Sequence, residues 1–183
     1  MAYCILKSYK LKVDPFEIFR ALKDGRNCFF LDSSLNSRYL GRYSFLGIEP
    51  FRILSTRNKN PFPELREALN RYRVPASFRN FPFSGGAVGY LAYDLGLTLE
   101  PEVRPRSKDS LSLPDCFFGF YNSGIIVDNK KKLIHIFSFG FPEKNYLSEI
   151  FLSQKNFKKL HDLINKVCFG GTGQNDKIIS CHT

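Results

Sequence analysis

CFFGFYNSGIIVDNKKKLIHIFSFG, residues 116–140, decides the fold. Aromatic and β-branched residues crowd both arms, the residue types that suit a pleated, half-buried surface. Asp128-Asn129, followed by three lysines, marks a bend. The stretch therefore reads as strand, turn, strand, an antiparallel pair closed by a polar loop.

Downstream the period changes. From Glu143 to about Val167, Leu147, Ile150, Phe151, Phe157, Leu160, Leu163 and Ile164 fall at near-helical spacing. Upstream, residues 101–114 are polar and proline-rich, a loop. Before it, GGAVGYLAY reads as a strand, with Tyr93-Asp94 opening a turn or short helix that Asp94 could cap. Asn60-Pro61 opens a helix that fades before Pro75, and residues 42–56 read as one extended segment broken near Gly47 and Pro50. NCFFLDSS, 27–34, is a strand leaving into a polar loop. Asp14 is a suitable N-cap, Pro15 fits the first helical position, and Phe16, Phe19, Ala21 and Leu22 form an apolar stripe ended by Gly25. Residues 3–9 read as the first strand. Strands and helices come in runs without regular βαβ units, so the expected class is α+β: mainly antiparallel sheets with flanking helices.

The 183 residues suit one domain with room for a small appendage. With 43% hydrophobic residues the chain can bury a core. No apolar run is long enough to span a bilayer, and MAYCILKSYK lacks the h-region and cleavage site of a signal peptide, so a cytoplasmic location is expected and no membrane partner. The net charge of +10 is spread along the chain, which reads as a solvated surface; no aromatic-basic nucleic-acid motif accompanies it, and no nucleic-acid partner is expected. Five scattered cysteines without a CxxC pair argue against a disulfide framework and a zinc site. The three histidines match no ligand spacing, and His135, in LIHIF, reads as structural.

Two stretches invite a chemical reading. Gly85, Gly86 and Gly89 make neither GxGxxG nor a Gly-Lys-Ser/Thr phosphate loop, so a close backbone approach within a strand is the first reading. In residues 30–50, Asp32, Ser33, Arg42, Tyr43 and Ser44 gather around two strand ends. Such a set suits a small zwitterion: its ammonium on Asp32, its carboxylate on Arg42, its side chain among Tyr43 and Phe45. The alternative is an ordinary loop start beside an exposed arginine.

Three segments together, FFLDSSLNSRYLGRYSFLGIEPF (29–51), PFSGGAVGYLAYDLG (82–96) and LPDCFFGFYNSGIIVDNKKKLIHIFS (113–138), resemble the N-terminal region of component I of the chorismate-using synthases. The resemblance covers about residues 3–140. Within that superfamily FLDSS, GRYSFLG and YDLG most resemble aminodeoxychorismate synthase component I, with anthranilate synthase component I the close alternative, typically carrying Leu-Leu-Glu-Ser where Phe30-Leu31-Asp32-Ser33 stands here.

The resemblance implies the N-terminal domain of the anthranilate synthase component I-like fold over 1–167, and a linker over 168–183 toward a C-terminal chorismate-binding half. It implies amination of chorismate to 4-amino-4-deoxychorismate, for p-aminobenzoate and folate, with ammonia from a glutamine amidotransferase subunit and Mg²⁺ in the full-length enzyme. No catalytic or metal-binding residue of that chemistry falls in this chain, so the chain alone is expected to be non-catalytic and to hold no cofactor. It further implies an L-tryptophan pocket at Asp32, Ser33, Arg42, Tyr43 and Ser44. A stand-alone tryptophan-binding regulatory module is the remaining alternative.

Overall fold

The computed structural model describes residues 3–33, 35, 40–74, 78, 80–100, 102 and 112–169. In chain order the elements are β1 (Cys4–Lys10), α1 (Pro15–Leu22), β2 (Phe29–Leu31), β3 (Tyr43–Gly47), β4 (Arg52–Thr56), α2 (Phe62–Arg71), β5 (Gly86–Leu91), α3 (Leu95–Leu99), β6 (Cys116–Tyr121), β7 (Ser123–Asp128), β8 (Leu133–Phe139) and α4 (Tyr146–Phe169). All strand pairings are antiparallel. The expected α+β class holds.

The hairpin at Asp128-Asn129 forms as expected: β7 pairs β8 with Ser123 opposite Ser138 and Asp128 opposite Leu133. It is the centre of a five-stranded sheet in the order β1, β8, β7, β3, β2. Both faces of this sheet are covered. On one face Ile125, Val127, Ile134 and Ile136 meet Ile18 and Leu22 of α1 and Phe157, Leu160 and Ile164 of α4. On the other, Ile126, Phe137 and Phe139 meet Cys4, Phe78 and Phe141. That is why β7 is buried along its whole length and shows no alternation of apolar and polar residues.

The decisive stretch contains three strands rather than two. β6 ends at Tyr121 and β7 begins at Ser123, and the two lie in different sheets, β6 being the middle of a three-stranded sheet in the order β4, β6, β5. Only Asn122 separates them. It is buried, its Nδ2 donates to the Phe141 carbonyl at 2.6 Å, its carbonyl accepts from Phe139 N–H at 2.7 Å, and its Oδ1 accepts from Asn156 Nδ2 of α4 at 3.3 Å. An asparagine side chain here satisfies backbone groups that neither sheet can reach. No glycine or proline marks the corner, so the strand pattern runs through it unbroken. Residues 42–56 divide in the same way: β3 belongs to the large sheet and β4 to the small one, with the turn at Glu49, whose φ is 54°.

The helices start where the caps predict. Asp14 Oδ1 accepts from Phe16 N–H at 2.8 Å, with Pro15 in the first turn of α1. Asn60 Oδ1 accepts from Phe62 N–H at 3.0 Å and opens α2. Asp94 precedes α3 without a side-chain cap bond, contrary to expectation. The buried residues of α1 are Ile18 and Leu22, while Phe16 and Ala21 face solvent; Phe19 stacks on Phe30. In α4 the buried stripe is Ser153, Phe157, Leu160 and Ile164, at i, i+4, i+7 and i+11, and Leu147 and Phe151 stay exposed. Polar Ser153 belongs on the inward face because its hydroxyl donates to the Ser138 carbonyl at 3.0 Å. The helix runs two residues past the expected boundary at 167; residues 170–183, including the expected linker Gly170-Gly171-Thr172-Gly173, and most of the expected loop 101–114 lie outside the described residues.

The glycine stretch packs as a strand. A Cβ on Gly89 would lie 1.8 Å from the Phe117 carbonyl oxygen of the neighbouring strand, and one on Gly85, whose φ is +103°, would crowd Tyr121, Phe137 and Phe139. Gly86 differs: the space beside it is open, and its φ of +123° is the constraint. Gly89→Ala is expected to lower the unfolding free energy by about 2–3 kcal/mol, since only backbone displacement can relieve the clash, and Gly86→Ala by less; chemical denaturation of the two variants checks the order.

Candidate functional site

β3 carries Tyr43 and Ser44, Arg42 immediately precedes it, and Asp32 and Ser33 follow the end of β2. β3 pairs β2 on one side, Leu31 opposite Phe45, and β7 on the other, Tyr43 opposite Asp128 and Ser44 opposite Val127. Side chains alternate across a strand, so neighbours in sequence point to opposite faces. Tyr43 and Phe45 pack into the cluster around Ile126 and Phe137, whereas Leu46 packs with α1 and α4 on the other face, the face that Ser44 shares.

Asp32, Ser33 and Ser44 are brought together. Ser44 is fully buried, and its hydroxyl donates to Asp32 Oδ1 at 2.9 Å. The same oxygen accepts from Ser33 N–H at 3.1 Å and from Asn129 Nδ2 at 3.1 Å, so its one donor and both lone pairs are used. Asn129 Nδ2 also reaches the Ser33 carbonyl at 3.4 Å, and Asn129 N–H donates to the Arg42 carbonyl at 2.8 Å. The Asp32 side chain is exposed and Ser33 is half-buried. The turn after β2 thus presents a carboxylate on a rigid mount.

Arg42 and Tyr43 form a second group, turned away from the first. Arg42 Nε and Nη2 both donate to Asp128 Oδ2, at 3.1 and 2.7 Å, and the guanidinium carbon lies 4.7 Å from the Tyr43 ring centroid. Asp128 Oδ1 accepts from the backbone N–H groups of Lys130 and Lys131 and so closes the β7–β8 turn. Burial of Asp128 favours its neutral form, yet the Arg42 hydrogen bond and charge and the two backbone donors outweigh burial and hold its carboxyl below the ordinary value. The Asp128 side chain is 2% exposed and that of Arg42 40%. Arg42 is therefore neither a bare surface arginine nor wholly available to a ligand carboxylate. Asp128 and Asn129, which tie the site together, read in the sequence only as turn residues; their partners Arg42 and Ser44 lie 86 and 85 residues away, and no local pattern marks the pairing.

The glycine stretch reaches this region indirectly. Phe83 packs edge-on against Phe45, centroids 5.6 Å apart, and Phe45 stacks on Tyr43 at 6.3 Å. His135 is buried, shares a 2.7 Å hydrogen bond with Ser8 Oγ and meets the Phe81 ring, a structural role as the sequence suggests; burial pushes its pKa below the usual imidazole range. Cys28, Cys116 and Cys168 are free thiols, and Cys4 is buried in the phenylalanine-rich cluster. Among the described residues no group of three or more His, Cys, Asp or Glu side chains could hold a metal ion, and no helix is long and apolar enough to cross a membrane.

No protein-family model matches the chain. Individual proteins do. The chain is 31% identical over 141 residues to an anthranilate synthase component 1 of Acetivibrio thermocellus, covering 67% of this chain and 28% of that protein. It is 32% identical over 112 residues to that of Saccharomyces cerevisiae (58% and 22%) and 28% identical over 173 residues to that of Bacillus subtilis (84% and 33%). The chain thus spans between a fifth and a third of the length of these relatives. The crystal structure of anthranilate synthase component I from Streptococcus pneumoniae shares the fold, with a TM-score of 0.51 and 22% identity over 84% of this chain and 34% of that one.

The depressed carboxyl of Asp128 sets a pH dependence. A carboxylate whose folded pKa lies below its unfolded one adds stability that is fully present above the unfolded value, about 3.9, and is lost as pH falls through the folded value. Asp128→Asn is expected to be less stable than the parent at pH 7, with the difference shrinking below about pH 4. Urea unfolding at both pH values checks this, and a gap that widens on acidification would contradict the ion-pair assignment.

Proposed function

We propose that this chain corresponds to the N-terminal portion of an anthranilate synthase component I-like enzyme, which aminates chorismate. The observation that carries the reading is the sequence match to component 1 enzymes across as much as 84% of this chain. The shared fold is consistent with it. In this reading the chain supplies a framework and an amino-acid pocket, and a chorismate-binding half supplies the chemistry, with ammonia from a glutamine amidotransferase partner. Mg²⁺, expected of the whole enzyme, would clamp the carboxylates of chorismate; among the described residues of this chain no cluster of His, Cys, Asp or Glu fits it.

Aminodeoxychorismate synthase component I is the second reading, favoured by one position. Asp32 stands where the anthranilate enzymes typically carry Glu, in the wording FLDSS. The relatives above favour the first reading. The two differ in whether the amino product retains its enolpyruvyl group or loses it as pyruvate.

L-tryptophan is the ligand proposed for the site that Asp32, Ser33 and Ser44 form; Arg42 and Tyr43, expected beside them, belong to the neighbouring group around Asp128. Asp32 would meet the ammonium. Arg42 offers a ligand carboxylate only the donors left by Asp128, and Tyr43 faces the opposite side of β3, so the ligand's ring lies elsewhere than among Tyr43 and Phe45.

The test uses the full-length polypeptide carrying these residues, with chorismate, Mg²⁺ and ammonium. Release of anthranilate and pyruvate is the expected result; accumulation of aminodeoxychorismate without pyruvate would transfer the assignment to the second reading. Unchanged chorismate in an otherwise folded protein would remove both.

A further inference from the structure

We infer that Asn129 is a positioning residue for ligand ammonium groups: through Ser44 and Ser33 it holds the Asp32 carboxylate where it can receive the primary ammonium of an amino acid. The inference rests on the amino-acid pocket proposed above and adds a residue and a division of labour to it.

A surface carboxylate binds an ammonium weakly unless it is held in place, because ordering both partners offsets most of the Coulomb gain. Asp32 is exposed, but its mount is not. Its Oδ1 takes the only proton of Ser44, whose hydroxyl is fully buried. Two donors aimed at the lone pairs of Ser44, Ser33 N–H and Asn129 Nδ2, favour the rotamer that turns this proton toward Asp32. The backbone donor has a fixed polarity. Asn129 completes the set, and its second contact, to the Ser33 carbonyl, fixes the turn that carries Asp32.

Asn129 is itself held by its backbone bond to Arg42 and by the turn that Asp128 closes. The chain of contacts runs from the β7–β8 turn to the carboxylate, with every step a hydrogen bond of 3.4 Å or less. Arg42, engaged by Asp128, stands outside it and contributes to the turn. Recognition at this end is thus of an amine, with a ligand carboxylate secondary.

The experiment compares three probes on the full-length polypeptide by calorimetry: L-tryptophan, tryptamine (no carboxylate) and indole-3-propionate (no ammonium). Asn129→Ala and the size-matched Asn129→Leu are expected to weaken L-tryptophan and tryptamine about tenfold and to change indole-3-propionate less than about twofold. Ser44→Ala is expected to act alike, and the double variant Ser44→Ala/Asn129→Ala to add little more, since both remove the same mount. Equal losses for all three probes, or no loss for the two amines, would overturn the positioning role. If the parent protein binds neither amine, the pocket reading beneath it fails, a distinct outcome that takes the inference with it.

Discussion

The architecture depends on a single buried residue between two strands. Asn122 sits where β6 leaves the small sheet and β7 enters the large one. A strand that changes sheets loses its ladder partners at the bend, and a buried backbone group left without a partner costs about 1–3 kcal/mol. Asn122 meets that need with its amide, binding Phe141, and with its backbone carbonyl, binding Phe139 N–H; its Oδ1 receives Asn156 from α4. One residue therefore joins both sheets, the segment after β8 and the long helix. Because the corner is made, β7 can be buried on both faces, with α1 and α4 on one side and a phenylalanine-rich layer on the other.

The same two-sidedness governs the site. β3 lies next to β7, and its alternation sends Ser44 toward the helices and Tyr43 and Phe45 toward the phenylalanine layer. Residues adjacent in sequence thereby join different networks. Ser44 mounts Asp32 and Ser33; Arg42 and Tyr43 gather around Asp128. The two networks meet at the β7–β8 turn, where Asp128 and Asn129 are consecutive. A turn that reads as a polar bend is also the foundation of the site, and its rigidity comes from a carboxylate held ionised, against burial, by a guanidinium and two backbone donors.

Local rules carried far in this chain. The cap at Asp14, the helix opening at Asn60-Pro61, the hairpin at Asp128-Asn129 and the α+β class were all legible, because each depends on residues within one turn or on a strand's own composition. The resemblance of residues 3–140 to the chorismate-using synthases was also legible, and the relatives found lie in that group, under the anthranilate name. Apolar spacing marks α1 and α4 without giving their buried faces: Phe16, Leu147 and Phe151 are exposed while Ser153 is buried. Whether an apolar side chain is covered depends on what another element brings to it.

By itself the sequence determined the elements: where helices begin, where the hairpin bends, which segments are extended. Only the tertiary structure decided how the strands divide between two sheets, and which partners Ser44, Arg42 and Asp32 have. The reason is physical. Elements follow from interactions between near neighbours, whose geometry the chain itself supplies. The sheet corner at Asn122 and the bonds from Asn129 to Ser44 and from Asp128 to Arg42 owe their strength to desolvation and to alignment across strands, and these exist only after residues 19 to 86 positions apart have been packed side by side.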